Sequence, residues 1–227
     1  MNDDSVPVRN LILVPAVITL AVTLLRLVGE LQGWNPRLFS REAGGGFALV
    51  GIAWLVIVLG VYFGWKLAAL GYRPRSAGRA AGMALLSIVL MVAAGFVVNL
   101  LKVPFAGQLI VFAVVAWAGV LITMPAWPAL GKVLLAYAFA ARIPVAIVML
   151  IAMLGNWGTH YDVVPPPDPN GPALPDFAAM NVWVKWLLIG FLPQFSVWIF
   201  YTMVLGTLFG LLGLALARGR APQPAAA

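Results

Sequence analysis

RNLILVPAVITLAVTLLRLVGEL, residues 9–31, decides the solvent in which this chain folds. Between Leu11 and Val28 the only polar side chains are Thr19, Thr23 and Arg26. A helix rises about 1.5 Å per residue, so about 20 such residues cross the hydrocarbon of a bilayer. Backbone groups find no water there, which leaves helices or a closed barrel as spanning units. The long apolar runs lack strict alternation, and this excludes the barrel.

The rest of the chain agrees with that reading. Of 227 residues, 63% are hydrophobic and 9% are charged, far below the roughly one quarter charged of a soluble domain. The net charge of +7 comes from basic residues scattered at the ends of apolar runs, without the clustered face that nucleic acid requires. Cysteine is absent, so disulfides, thiolate metal sites and iron–sulfur clusters are excluded. The opening MNDDSVPVR carries Asp3 and Asp4 where a cleaved signal wants positive charge. No small-residue cleavage pattern follows, and the first apolar segment is expected to stay as an anchor.

The expected fold is all-α: a polytopic transmembrane helical bundle, one domain over residues 1–220 with a disordered tail at 221–227. Spans are read at 9–31, 46–66, 80–102, 108–124, 132–154 and 193–217. The breaks between them are WNPRLFSREAGGG, GYRPRSAGR, KVPFAGQ, MPAWPALGK and the loop that begins GNWGTHYDVVPPPDPNGP at Gly155. With GYRPRSAGR cytoplasmic, the inner side holds Arg9, Lys66, Arg73, Arg75, Arg79, Lys132, Arg218 and Arg220. The outer side holds Arg37, Arg41, Lys102 and Lys185. That asymmetry places both termini in the cytoplasm, in a plasma or inner membrane, with the loop 155–180 outside. Trp34, Trp157, Trp183 and Trp186 fall near the outer interface, Trp65 and Trp127 near the inner one.

From Asn181 to Arg218 the chain is almost uninterrupted and apolar, and Pro193 should kink or end a helix in its middle. Residues 176–192 are therefore read as an interfacial or re-entrant helix, anchored by two tryptophans with Lys185 snorkelling. The rival is a seventh span, which would carry Arg218 and Arg220 to the outer face. LVPAVITL and RIPVAIVML echo each other, but the distance from proline to the next tryptophan is 19 residues in one and 13 in the other, so no repeat is built on them.

Two places carry candidate chemistry within the spans. Thr19, Thr23, Arg26 and Glu30 follow at intervals of four, three and four, which puts them on one helix face that should turn from lipid into the bundle. That face is read as an internal ion pair orienting the helix, or as the lining of a cavity. Arg142, within AFAARIPVAIVML, lies too deep to snorkel. Its expected partners are the carbonyl freed four residues before Pro144 and the hydroxyls of Tyr201 or Thr202. A buried guanidinium with no evident carboxylate also suits an anionic ligand or lipid phosphate.

The outer loop holds the chain's one histidine, His160, with Asp162, Asp168 and Asp176. Zinc needs three or four placed ligands, so His160 and Asp162 are only weak metal candidates, and the loop is read as a lid or docking strap. No cofactor is expected. Haem needs a second histidine or a cysteine. Membrane serine hydrolysis at Ser87 or Ser196 lacks a histidine base, and an aspartyl dyad lacks aspartates in the spans. Gly44–Gly46 lacks the lysine of a phosphate-cradling loop.

The pairs Gly60/Gly64, Gly78/Gly82 and Gly206/Gly210, with Ala136 and Ala140, permit close helix packing or self-association. The leading functional reading is a non-enzymatic scaffold or accessory subunit that engages a membrane-protein partner or lipid. The alternative is a small permease or lipid/anion carrier that uses Arg142 and the polar face of the first span. An enzyme survives only if the loop acids and His160 assemble on a metal.

Overall fold

The computed structural model describes residues 6–43, 48–162, 164 and 174–218. Asp168, Arg220 and the expected tail at 221–227 lie outside them. Among the described residues there is no strand. The helices are α1 (Val8–Leu31), α2 (Leu55–Ala69), α3 (Ala77–Leu100), α4 (Phe105–Thr123), α5 (Pro128–Gly155), the short α6 (Val182–Lys185) and α7 (Leu192–Gln194), and α8 (Val197–Arg218). A 3-10 turn over Met124–Ala126 extends α4, and a π turn over Trp186–Phe191 joins α6 to α7. Five of these stretches are long and apolar enough to cross a membrane: Val8–Leu31, Ala77–Leu100, Phe105–Ala126, Pro128–Gly155 and Val182–Ala217.

Local chemistry sets the boundaries. Ser76 caps α3, its hydroxyl accepting from the Arg79 N–H at 3.2 Å. Pro128 opens α5 at a position where its missing N–H costs nothing, and Asn156 closes it in the left-handed region at φ 49°. The C-terminal carbonyl of Glu30 on α1 accepts from Arg41 Nε at 2.8 Å.

The second helix departs most from expectation. It begins at Leu55 rather than 46, because Leu49 and Val50 spend their N–H groups on the carbonyls of Arg37 and Leu38. Its 15 residues rise about 23 Å, short of the ~30 Å hydrocarbon. It is nonetheless central. α2 and α8 run parallel with their glycines in register: a methyl group on Gly60 would come 2.9 Å from the Gly206 carbonyl oxygen, and one on Gly64 would collide with Gly210. Around this pair Phe63, Leu67, Leu130, Leu134, Ile199 and Met203 are fully buried. By contrast, Gly82 faces open space.

Helix α5 packs on α8, α1 packs on α5, and the α3–α4 hairpin covers the other side of α8. The outward faces are apolar: Leu13, Val14 and Val17 of α1, Phe96 and Leu100 of α3, and Val114 and Leu121 of α4 are all exposed. That much exposed apolar surface on long apolar helices marks an integral membrane protein.

Pro193 does not stop its helix. The wider π turn before it absorbs the lost hydrogen bond, and the chain breaks two residues later, at Phe195 and Ser196, before α8 restarts. The N-cap of this segment is Asn181, whose side chain accepts from the Trp183 N–H at 2.9 Å.

Candidate ligand-binding site

The polar stripe of α1 faces the bundle. Thr19, Thr23, Arg26 and Glu30 are all buried, Glu30 completely. Each threonine returns its hydroxyl to the carbonyl four residues earlier, at 2.8 Å for Thr19 and 2.9 Å for Thr23. Thr19 also meets the hydroxyl of Tyr137 on α5 at 2.8 Å, bridging the two helices. Arg26 Nε donates to Glu30 Oε1 at 2.7 Å, and Arg26 Nη2 donates to the Ser40 carbonyl at 2.9 Å.

The loop after α5 closes onto this stripe. The His160 backbone N–H donates to Glu30 Oε2 at 2.8 Å, and the Tyr161 hydroxyl donates to the Thr23 carbonyl at 3.1 Å. His160 Nδ1 lies 2.5 Å from Glu30 Oε1. Burial pushes the imidazole below its ordinary value of 6.5; the Glu30 contact opposes that shift and the Arg26 charge reinforces it. Burial and the Glu30 charge hold the Tyr161 phenol well above its usual range.

Asp162 closes the turn that carries His160. Its Oδ1 accepts from the Thr159 N–H and hydroxyl, both at 2.7 Å, and its Oδ2 accepts from the Gly158 N–H at 2.9 Å. Among the described residues no group of three or more metal-ligating side chains forms. Asp176 likewise caps a local turn, accepting from Ala178 at 3.0 Å.

Arg142 sits midway along α5, 3% exposed. The hydroxyls expected from the sequence spend their hydrogen bonds on other groups: Tyr201 donates to the Ala53 carbonyl at 3.4 Å and Thr202 to the Trp198 carbonyl at 2.9 Å. Instead Arg142 Nη1 donates to Gln194 Oε1 at 3.3 Å, and the guanidinium carbon lies 4.5 Å from the ring centroid of Trp198. Its Nε finds no acceptor among the described residues, and no carboxylate among them pairs with it. Gln194 and Trp198 are the residues that sequence reasoning missed. Their signal was present: Gln194 is the one amide in the apolar run from Val182 to Arg218, directly after Pro193.

A cavity of about 720 Å³ joins these groups. Thr23 and Arg26 of α1, Arg142, Val145 and Met149 of α5, His160 and Tyr161 of the loop, Gln194 of α7 and Trp198 of α8 form its walls. Ile52, Ala53 and Trp54 complete it ahead of α2, and Trp54, 47% exposed, brings it to the surface. Glu30 stands behind Arg26 as its counter-charge. The cavity therefore runs from the His160 end of the bundle to the middle of α5, apolar along its sides and cationic at its depth. No family model, curated protein or solved structure matches the chain.

Proposed function

We propose that this integral membrane protein binds an amphipathic ligand in the α1/α5/α8 cavity and acts as a small carrier or lipid-binding protein. The observation that carries the reading is the continuity of one cavity from Arg26 and His160 to Arg142. A cavity within the ordinary range for small-molecule sites, apolar-walled with a few convergent polar groups, is the usual form of a binding pocket. Dry aliphatic packing between Arg142 and the stripe would have favoured the scaffold. In this proposal the chain crosses the membrane six times, with both termini cytoplasmic and the 155–180 loop outside, and 176–192 lies at the outer face.

The test is purification in a mild neutral detergent, followed by mass spectrometry of the organic extract. Wild-type protein is expected to carry a near-stoichiometric amphiphile, and Val145→Phe, which fills the cavity wall, is expected to lose it. An empty wild-type extract counts against the reading.

The scaffold reading keeps one specific support. Trp183, Val184 and Leu187 are exposed along the segment that starts at α6, beside the outer loop. A protein co-purifying with wild type, and released by Trp183→Ala with Leu187→Ala, would move the assignment there.

A further inference from the structure

The cavity's charges are unevenly compensated. Arg26 has Glu30 within 2.7 Å, and Glu42 lies in the wall towards the outer end. Arg142 has neither: a neutral amide takes one of its donors and a tryptophan face covers the guanidinium. An always-charged group in the middle of an apolar helix is among the most costly placements in a membrane protein, and such residues mark ligand or ion sites.

The geometry of the unused donors narrows the ligand. Gln194 occupies Nη1, while Nε has no acceptor among the described residues. This leaves the edge of the guanidinium formed by Nε and Nη2, whose two parallel N–H groups match the two oxygens of a carboxylate or phosphate. Gln194 Nε2 rests only on the Met149 sulfur at 3.6 Å, a weak acceptor that an anionic oxygen would displace.

We infer that the cavity takes an amphiphile bearing an oxyanion, a carboxylate or a phosphate monoester, seated on the Nε edge of Arg142 beside Gln194, with its apolar body along Val22, Ile52, Val145 and Ile189. The inference rests on the cavity-binding reading above and assigns the chemistry of its ligand. The bound anion supplies the counter-charge that the fold omits. Trp198 and Gln194 position the guanidinium, and Arg142 makes the contact.

The experiment uses the full chain in a sugar-headed neutral detergent and reads saturable tryptophan quenching by bromine-labelled probes. Bromohexadecanoate is expected to bind at least roughly tenfold tighter than the matching alcohol, as a charge-assisted hydrogen-bonded pair implies. Arg142→Gln should erase that preference while leaving alcohol binding in place, and Arg142→Lys, which keeps the charge but loses the fork, should restore part of it. The bromohexadecyl phosphate monoester is expected to share the site. Displacement by inorganic phosphate or acetate would support the oxyanion site with a free anion as its source; displacement only by chain-bearing acids supports it with a lipid source. Equal binding of acid and alcohol by wild type overturns the inference while the cavity reading stands. An acid preference unchanged in Arg142→Gln also overturns it, and saturable binding of neither probe removes the reading beneath it. The wild-type acid–alcohol comparison needs no variant, so a misfolded Arg142→Gln leaves the test intact.

Discussion

The carboxylate of Glu30 accepts a 2.8 Å hydrogen bond from the backbone N–H of His160, 130 residues further along the chain. A side chain at the end of the first helix thus holds the first turn of the loop after α5. Because Arg26 and the imidazole of His160 converge on the same carboxylate, one buried anion organises this end of the cavity.

Glu30→Gln keeps the shape of that junction and removes the carboxylate charge that buried Arg26 meets at 2.7 Å. Breaking a buried pair from one side costs about 3–5 kcal/mol. We expect a large fall in melting temperature in detergent. Arg26→Met combined with Glu30→Gln should be more stable than Glu30→Gln alone, since the stranded cation is then gone. A double variant less stable than the single one contradicts this account.

His160 makes the fold sensitive to mild acid. Its imidazole binds a proton less readily in the folded protein than at its ordinary value of 6.5, because burial penalises the charged form. Below pH 6.5 the unfolded chain therefore binds more protons at this position than the folded one does, and stability falls as pH drops; above it the contribution is flat. Thermal unfolding followed between mildly acidic and neutral pH should show this slope, and His160→Asn should remove it.

The glycine faces of α2 and α8 give a contrast within one chemistry. Gly64→Ala places a methyl group against the Gly210 backbone, which has no side chain to move aside, so the helices must part. Gly82→Ala meets nothing and gains helix propensity of about 0.5–1 kcal/mol. The first should lower thermal stability sharply, and the second should leave it level or raise it. Equal effects from the two would rule out the parallel packing as the cause.

Arg142 should show opposite effects on binding and on stability. Replacing Arg142 by Met together with Gln194 by Leu removes an uncompensated buried charge and its only hydrogen-bond partner among the described residues. Such replacements are often neutral or stabilising by about 1–4 kcal/mol. The double variant should melt no lower than ligand-free wild type while retaining no acidic amphiphile. A marked loss of stability would make Arg142 a structural element instead.

The sequence displayed some of this and concealed the rest for identifiable reasons. The stripe from Thr19 to Glu30 was legible because a helix repeats every 3.6 residues, and polar groups at that spacing in an apolar run must turn inward. The onset of α2 was not legible: residues 46–54 are as apolar as a helix requires, and it is backbone bonds to Arg37 and Leu38 that divert Leu49 and Val50. The partner of Arg142 was hidden for a similar reason. Pro193 suggested a kink or a helix end without saying which, and it is a π turn carrying the helix through it that delivers Gln194 to Arg142. His160 was visible as a lone polar residue in a loop, but its hold on Glu30 is tertiary and leaves no periodicity to read.

The parallel alignment of Gly60 and Gly64 with Gly206 and Gly210 imposes an order on biogenesis. While α2 leaves the ribosome, its mate has yet to be translated, and at about 5–20 residues per second the wait lasts on the order of ten seconds. A stubby apolar rod must spend that interval shielded by the insertion machinery or by neighbouring segments. Arrival of the last long helix is thus the step that locks the structure, and a nascent chain stalled before it should be the form that quality-control proteases clear.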